Sequence, residues 1–397
     1  MRISTSMLHQ QGVSNLQKQQ AQLAHTQNQL TANRRLLSAA DDPAAMSAVI
    51  GLEHAEAQFA RYQDQIDVAR QRLGLEENVL ADTGTALQRV RELALQMNSG
   101  TQSAATRKII ASELRQIGDQ LLSLANTDDG QGRYLFAGSQ DGSAPFAGSA
   151  GNISYAGDQQ QRLLAVTNSR TVADADPGSE VFQRLRDGNG TFSVAADAAN
   201  AGSAALKSAR VVDAALWDGG SYTLSFSAGN YEIRDGGNAV VASGAYAAGQ
   251  NLSFRGIDLG FSGTPADGDR FTVGASAQRD LFAQVEELAR IAESPIDTEA
   301  QRAVLQTRVF QSLSALDNAE QHVSDVRSSV GNRLAVLDDA ENQNGAQKLQ
   351  VSSTLADLRD LDYAEAATRL NLQMTALQAA QQTYARVQSL SLFDYLR

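Results

Sequence analysis

The chain contains no cysteine. Disulfides, thiolate zinc sites, iron–sulfur clusters and cysteine nucleophiles are therefore excluded. Aromatic residues make up only 6% of it, with a single tryptophan, Trp217. So few bulky rings favour helices packed through small residues over a large ligand-enclosing core. No apolar run approaches the roughly 20 residues of a membrane span. The opening Met1-Arg2-Ile3-Ser4-Thr5-Ser6-Met7 lacks the apolar core of a secretory signal peptide. Positive charge is also in deficit. The 33 Lys and Arg stand against 45 Asp and Glu, a net charge of −12, which argues against nucleic acid as a partner.

Catalytic constellations are equally absent. His9, His25, His54 and His322 are far apart, none in HExxH spacing, and each sits in a polar helical pattern that reads as a solvated face. There is no P-loop, dinucleotide fingerprint or GxSxG elbow. Asp41 and Asp42 precede Pro43, and capping a helix that starts at Pro43 accounts for both. Asp128-Asp129-Gly130 lacks the alternating ligands of a calcium loop and reads as a turn. No catalytic, cofactor-binding or metal-binding residue is predicted, and the chain is read as a non-enzyme.

What is present is helical periodicity. Residues 1–12 carry little pattern. Leu16, Leu23, Leu30 and Leu37 then recur as half of an apolar heptad, its other seam holding Val13, Gln20, Gln27 and Arg34. That helix is predicted to end near Leu37. The next runs from Pro43 to about Gly100, with polar Gln, Glu, Asp and Arg on its other faces; its length suits a rod. A third covers about Ala104 to Thr127, with Ile109 in its stripe. Between 138 and 278 the composition changes: 21 of the 31 glycines fall there. The alternating runs Tyr222–Phe226, Asn230–Arg234, Asn251–Phe254, Ile257–Phe261 and Arg270–Val273 predict strands, in one lobe or two. Trp217 reads as a core anchor of that insert.

Helices return with a segment ending at Ser294-Pro295 and a long one from about Thr298 to Asn344. A polar break around Asn342-Gln343-Asn344-Gly345 is expected before a terminal helix, which from Tyr363 on meets neither Gly nor Pro. On that helix Tyr363, Leu370, Met374, Leu377 and Tyr384 fall on one face, with Leu358, Leu361, Leu372 and Leu390 roughly opposite. The first stripe is assigned to the N-terminal leucines of the same chain and the second to neighbouring molecules. The fold predicted is mainly α with a β-rich insert, both chain ends forming a long-helix coiled coil or bundle. The division is 1–42, 43–137, 138–278, 279–345 and 346–397.

Ser38-Ala39-Ala40-Asp41-Asp42-Pro43-Ala44 after an amphipathic helix, together with the coiled C-terminal helix, resembles the flagellin superfamily. Three segments resemble its hook-associated protein type 3 branch, the hook–filament junction proteins. They are Tyr134-Leu135-Phe136-Ala137-Gly138-Ser139, the Gly263–Val273 stretch, and the chain end Ser391–Leu396, which includes Phe393. Ala40 departs from that branch's turn and leaves flagellin itself as the alternative. The resemblance implies a structural adaptor in the extracellular flagellum, exported by the flagellar type III apparatus without a cleaved signal peptide. It implies a ring of copies between the hook-side junction protein (hook-associated protein type 1) and flagellin. It also implies an export chaperone on the C-terminal helix, and no nucleic-acid or membrane partner. Absent cysteine and half-apolar terminal heptads agree with such a protein.

Overall fold

The computed structural model describes residues 5–99, 102–149 and 151–389. By internal packing the chain falls into two units: residues up to Asp64 with those from Ala340 onward, and Gln65–Asp339.

In the first unit α1 spans Thr5–Ala32, so the helix begins within the segment read as patternless and stops before Leu37. It stops at Asn33, whose φ of 50° is the left-handed conformation that asparagine tolerates. The chain then turns Leu36 inward against Val49 and Leu355, with Ala45, Leu52 and Leu358 packed around them. Helix α2, Pro43–Met97, opens on proline, whose missing N–H belongs to a group unpaired in any first turn. The Asp42 carboxylate accepts from the N–H groups of Ala44 (3.1 Å) and Ala45 (3.0 Å).

In the second unit the core of α2 is a run of seam positions: Ile66, Ala69, Leu73, Leu80, Leu87, Val90, Ala94 and Met97 are buried. The polar faces expected here are not all solvated. Arg72, Glu76 and Thr83 are buried too. Ile109, placed in an apolar stripe from the sequence, is 68% exposed, and Leu95 of α2 is 54% exposed. Helix α3, Ala104–Ala125, is capped by Ser103, and α4, Leu281–Glu293, by Asp280. The two helices pack together, with Arg115 of α3 paired to Glu286 and Glu293 of α4.

Two hairpins follow α3: β1 (Phe146–Ser149) with β2 (Asn152–Tyr155), and β3 (Leu163–Thr167) with β4 (Arg170–Ala173). After a π-helical turn, Ser179–Gln183, strand β5 (Leu185–Arg186) pairs with β14 (Gln278–Arg279). Between them lie β6 (Phe192–Ala196), β7 (Ala205–Val211), β8 (Tyr222–Ser227), β9 (Asn230–Asp235), β10 (Val240–Ala245), β11 (Asn251–Phe254), β12 (Ile257–Ser262) and β13 (Arg270–Ala275). They form a five-stranded sheet, β10-β9-β8-β13-β6, and a three-stranded sheet, β11-β12-β7, antiparallel throughout. One apolar core serves both sheets, through Phe192, Tyr222, Phe226, Phe261 and Phe271, and Trp217 packs against it as an anchor.

Helix α5 runs without interruption from Glu299 to Arg359, which removes the break expected at Asn342–Gly345. A Cβ at Gly345 would meet nothing, and Asn344 and Ala340 are buried, so packing outweighs the weak helix preference of this polar string. The interruption falls at Asp360–Asp362 instead. There the Asp362 carboxylate accepts from Ala364 N–H (2.9 Å) and Glu365 N–H (3.1 Å), opening α6, Tyr363–Ser389.

Candidate assembly surface

Helices α1 and α6 pack as an antiparallel pair. At one end Gly12 approaches Tyr384. At the other Arg35 N–H donates to Arg359 O at 2.8 Å, and Arg34 pairs with Asp360 in an isolated antiparallel bridge. The Arg35 guanidinium adds two bonds to Leu358 O, at 2.7 and 3.2 Å. The turn leading to α2 is held by Asp41, whose carboxylate accepts from Leu37 N–H and Ser38 N–H, both at 2.9 Å. Those two amides hold the Asp41 carboxyl below the usual carboxylate range, helped by His25 at 3.6 Å. Asp41 fixes the turn, then, while Asp42 caps the helix beginning at Pro43.

Leu16, Leu23 and Leu30 are half-buried on α1, as are Leu370, Leu377 and Tyr384 on α6 and Leu37 in the turn. Two members of the inward stripe point elsewhere: Tyr363 is 66% exposed and Met374 40%. Tyr363 is the first residue of α6, where the pairing with α1 gives way to the turn. The outward stripe divides as well. Leu372 is 67% exposed, whereas Leu358 and Leu361 are half-buried and Leu358 joins the Leu36–Val49–Leu355 core. Leu358 lies on α5 before the interruption, so it shares no helical face with Leu372. Leu390 and Phe393, with the Ser391–Leu396 end motif, lie outside the described residues.

Sequence periodicity missed a buried charge network in the second unit. The Arg72 guanidinium stands 3.3 Å from Asp129 and 3.1 Å from Asp174, all three side chains nearly inaccessible. Arg133 also pairs with Asp129 and Arg162 with Asp174. One turn along α2, Glu76 accepts from Asp176 N–H at 3.1 Å, and Asp176 is paired with Arg333. Burial pushes the Glu76 carboxyl up to about 8, and the Asp176 carboxylate adds to the rise. The spacing held a clue: Glu76 and Thr83 fall midway between Leu73, Leu80 and Leu87, where the other seam residue of a heptad belongs. Of the histidines, His25 and His54 are exposed, while His322 Nε2 lies 2.7 Å from Glu180 O. Among the described residues no group of three or more His, Asp or Glu is placed to hold a metal, and no helix is long and apolar enough to cross a membrane.

Residues 3–141 match the family model for the bacterial flagellin N-terminal helical region, and residues 313–396 that for the flagellin C-terminal helical region. Residues 195–275 match the D2-like domain of flagellar hook-associated protein 1. Flagellar hook-associated protein 3 of Salmonella typhimurium is 35% identical over 185 residues, 47% of this chain and 58% of that protein. The chain thus spans somewhat more than half the length of the curated relative it matches. The crystal structure of FlgL from Xanthomonas campestris is 39% identical, with a TM-score of 0.72 over 77% of this chain and 99% of that one. Flagellar hook-associated protein-3 from Legionella pneumophila is 29% identical, with a TM-score of 0.75 over 77% of this chain and 98% of that one. With flagellin-type helical regions at both ends, a β-rich middle and this likeness to solved relatives over nearly their whole length, the chain belongs to the flagellar hook-associated protein 3 (FlgL) family.

Proposed function

We propose that this chain is a structural, non-enzymatic adaptor of the bacterial flagellum that joins a hook-side junction protein to the flagellin filament by packing of its terminal helices. Family membership together with the α1–α6 pair carries this reading. The pair closes one seam within the chain and still presents Val13, Leu372 and Met374 at 42%, 67% and 40% exposure. Apolar side chains left on a paired helix suit further copies of the same pair. On this reading residues 1–42 and 346–397 are the assembly segments, 43–137 and 279–345 the two halves of a helical rod domain, and 138–278 the outward β domain. The partners are flagellin, the hook-side junction protein (hook-associated protein type 1) and other copies in a ring. An export chaperone takes α6 before passage through the flagellar type III apparatus. Relatives named as hook-associated and junction proteins support the adaptor over a filament subunit.

Leu377→Asp tests the packing. A carboxylate on the half-buried face of α6 loses on the order of 1–3 kcal/mol of apolar burial and brings a desolvation penalty besides. Bacteria carrying the variant are expected to export it yet bear no attached filaments. Wild-type filament attachment and motility would exclude this use of α6.

A further inference from the structure

Strands β6 and β7 are edge strands of the five- and three-stranded sheets. An edge leaves a row of backbone N–H and C=O groups without a ladder partner, and burying them unpaired is costly. Here one buried amide on each edge finds its partner on the same helix. Val194 N–H, on β6, donates to Gln311 Oε1 of α5 at 3.1 Å. Leu206 N–H, on β7, donates to Thr307 Oγ1 of α5 at 3.0 Å. Val194 and Leu206 are 2% and 3% exposed, so water does not take the place of either bond.

Thr307 and Gln311 are four residues apart and share a helix face. Phe310, between them, packs against the core shared by the two sheets. Two turns further along α5, Asn318 Nδ2 donates to Gly188 O at 3.0 Å and Arg186 O at 3.2 Å, holding the turn that leads into β6. The same stripe of α5 therefore touches the β domain at both sheet edges, at its core and at its entry.

We propose that α5 is the edge partner of both sheets, with Thr307 and Gln311 as positioning residues that lock the β domain to the helices of its unit as a single body. The β domain is then not a freely articulated appendage, and neither sealed edge is open to a strand from another molecule.

Hydrogen exchange on the full chain tests this with near-isosteric variants. Thr307→Val should speed exchange of the Leu206 amide at least tenfold, and Gln311→Met that of Val194, with central strands β8 and β9 unchanged. Thr307→Ser keeps the hydroxyl and should retain wild-type protection. The absence of native cysteine allows spin labels at cysteines introduced by Ala247→Cys and Ser329→Cys. The distance distribution between them should broaden in the Thr307→Val/Gln311→Met double variant. Unchanged exchange at both amides, equal loss in Thr307→Ser and Thr307→Val, or a distribution as narrow as wild type in the double variant would each overturn the proposal.

Discussion

Gly12 lies against the ring of Tyr384. A Cβ at position 12 would stand 2.9 Å from both Cδ2 and Cε2 of that ring, inside van der Waals contact. The glycine is uneconomical for a helix, costing about 1 kcal/mol relative to alanine. Close approach of α1 and α6 accounts for it. Gly12→Leu should therefore separate the pair and weaken assembly, and Tyr384→Ala in the same chain should recover part of the loss. A double-mutant cycle on the stability of the terminal unit checks this, with a coupling of about 1 kcal/mol or more expected for residues in contact. Additive effects would mean the two positions do not share space.

The charge network predicts a pH dependence. Burial raises the Glu76 carboxyl from its ordinary 4.5 to about 8. A raised carboxyl means that the folded state holds a proton that the unfolded chain releases. Its contribution is thus complete below about pH 4.5, falls as pH climbs towards 8, and is gone above that. Glu76→Gln cannot ionise. Between pH 5 and 9 the wild type should lose about 4 kcal/mol relative to that variant. Thermal melts of both proteins across this range give the comparison, and parallel curves would show that Glu76 ionises normally.

Asp42 offers a simpler case. Its carboxylate satisfies two amides that open α2. Asp42→Ala should cost about 0.5–2 kcal/mol, read from denaturant unfolding. Asp42→Asn, which keeps an acceptor, should lie close to wild type.

Much of the fold is legible in the sequence because its signals are local. Pro43 after Asp42 marks the start of α2, and Asn98-Ser99-Gly100 follows its end at Met97. Five of the strands, β8, β9, β11, β12 and β13, coincide with the alternating runs that predict them. Strands β7 and β10 do not, since Ala205–Val211 and Val240–Ala245 are rich in small residues and take their order from neighbours on the sheet. At Gly345 local preference points the wrong way, because a helix 61 residues long is held by burial along its length. The true interruption carries its own signal, Asp362 three residues before Glu365, a capping pattern. The assembly stripes are legible only in part. Periodicity assigns Tyr363 and Leu370 to one face, yet Tyr363 is exposed where α6 begins. Arg72, Thr307 and Gln311 escape periodicity, since polar side chains on helices ordinarily face water and these are buried or bonded to other elements. Only the heptad gaps at 76 and 83 hint otherwise.

Deletion of the gene tests the central claim most directly. Electron microscopy of the cells and immunoblotting of the medium for flagellin supply the readout. A junction adaptor predicts hooks that end without filaments and flagellin shed into the medium, restored by the wild-type gene and not by Leu377→Asp. Filaments of normal number and length on the deletion strain would contradict it.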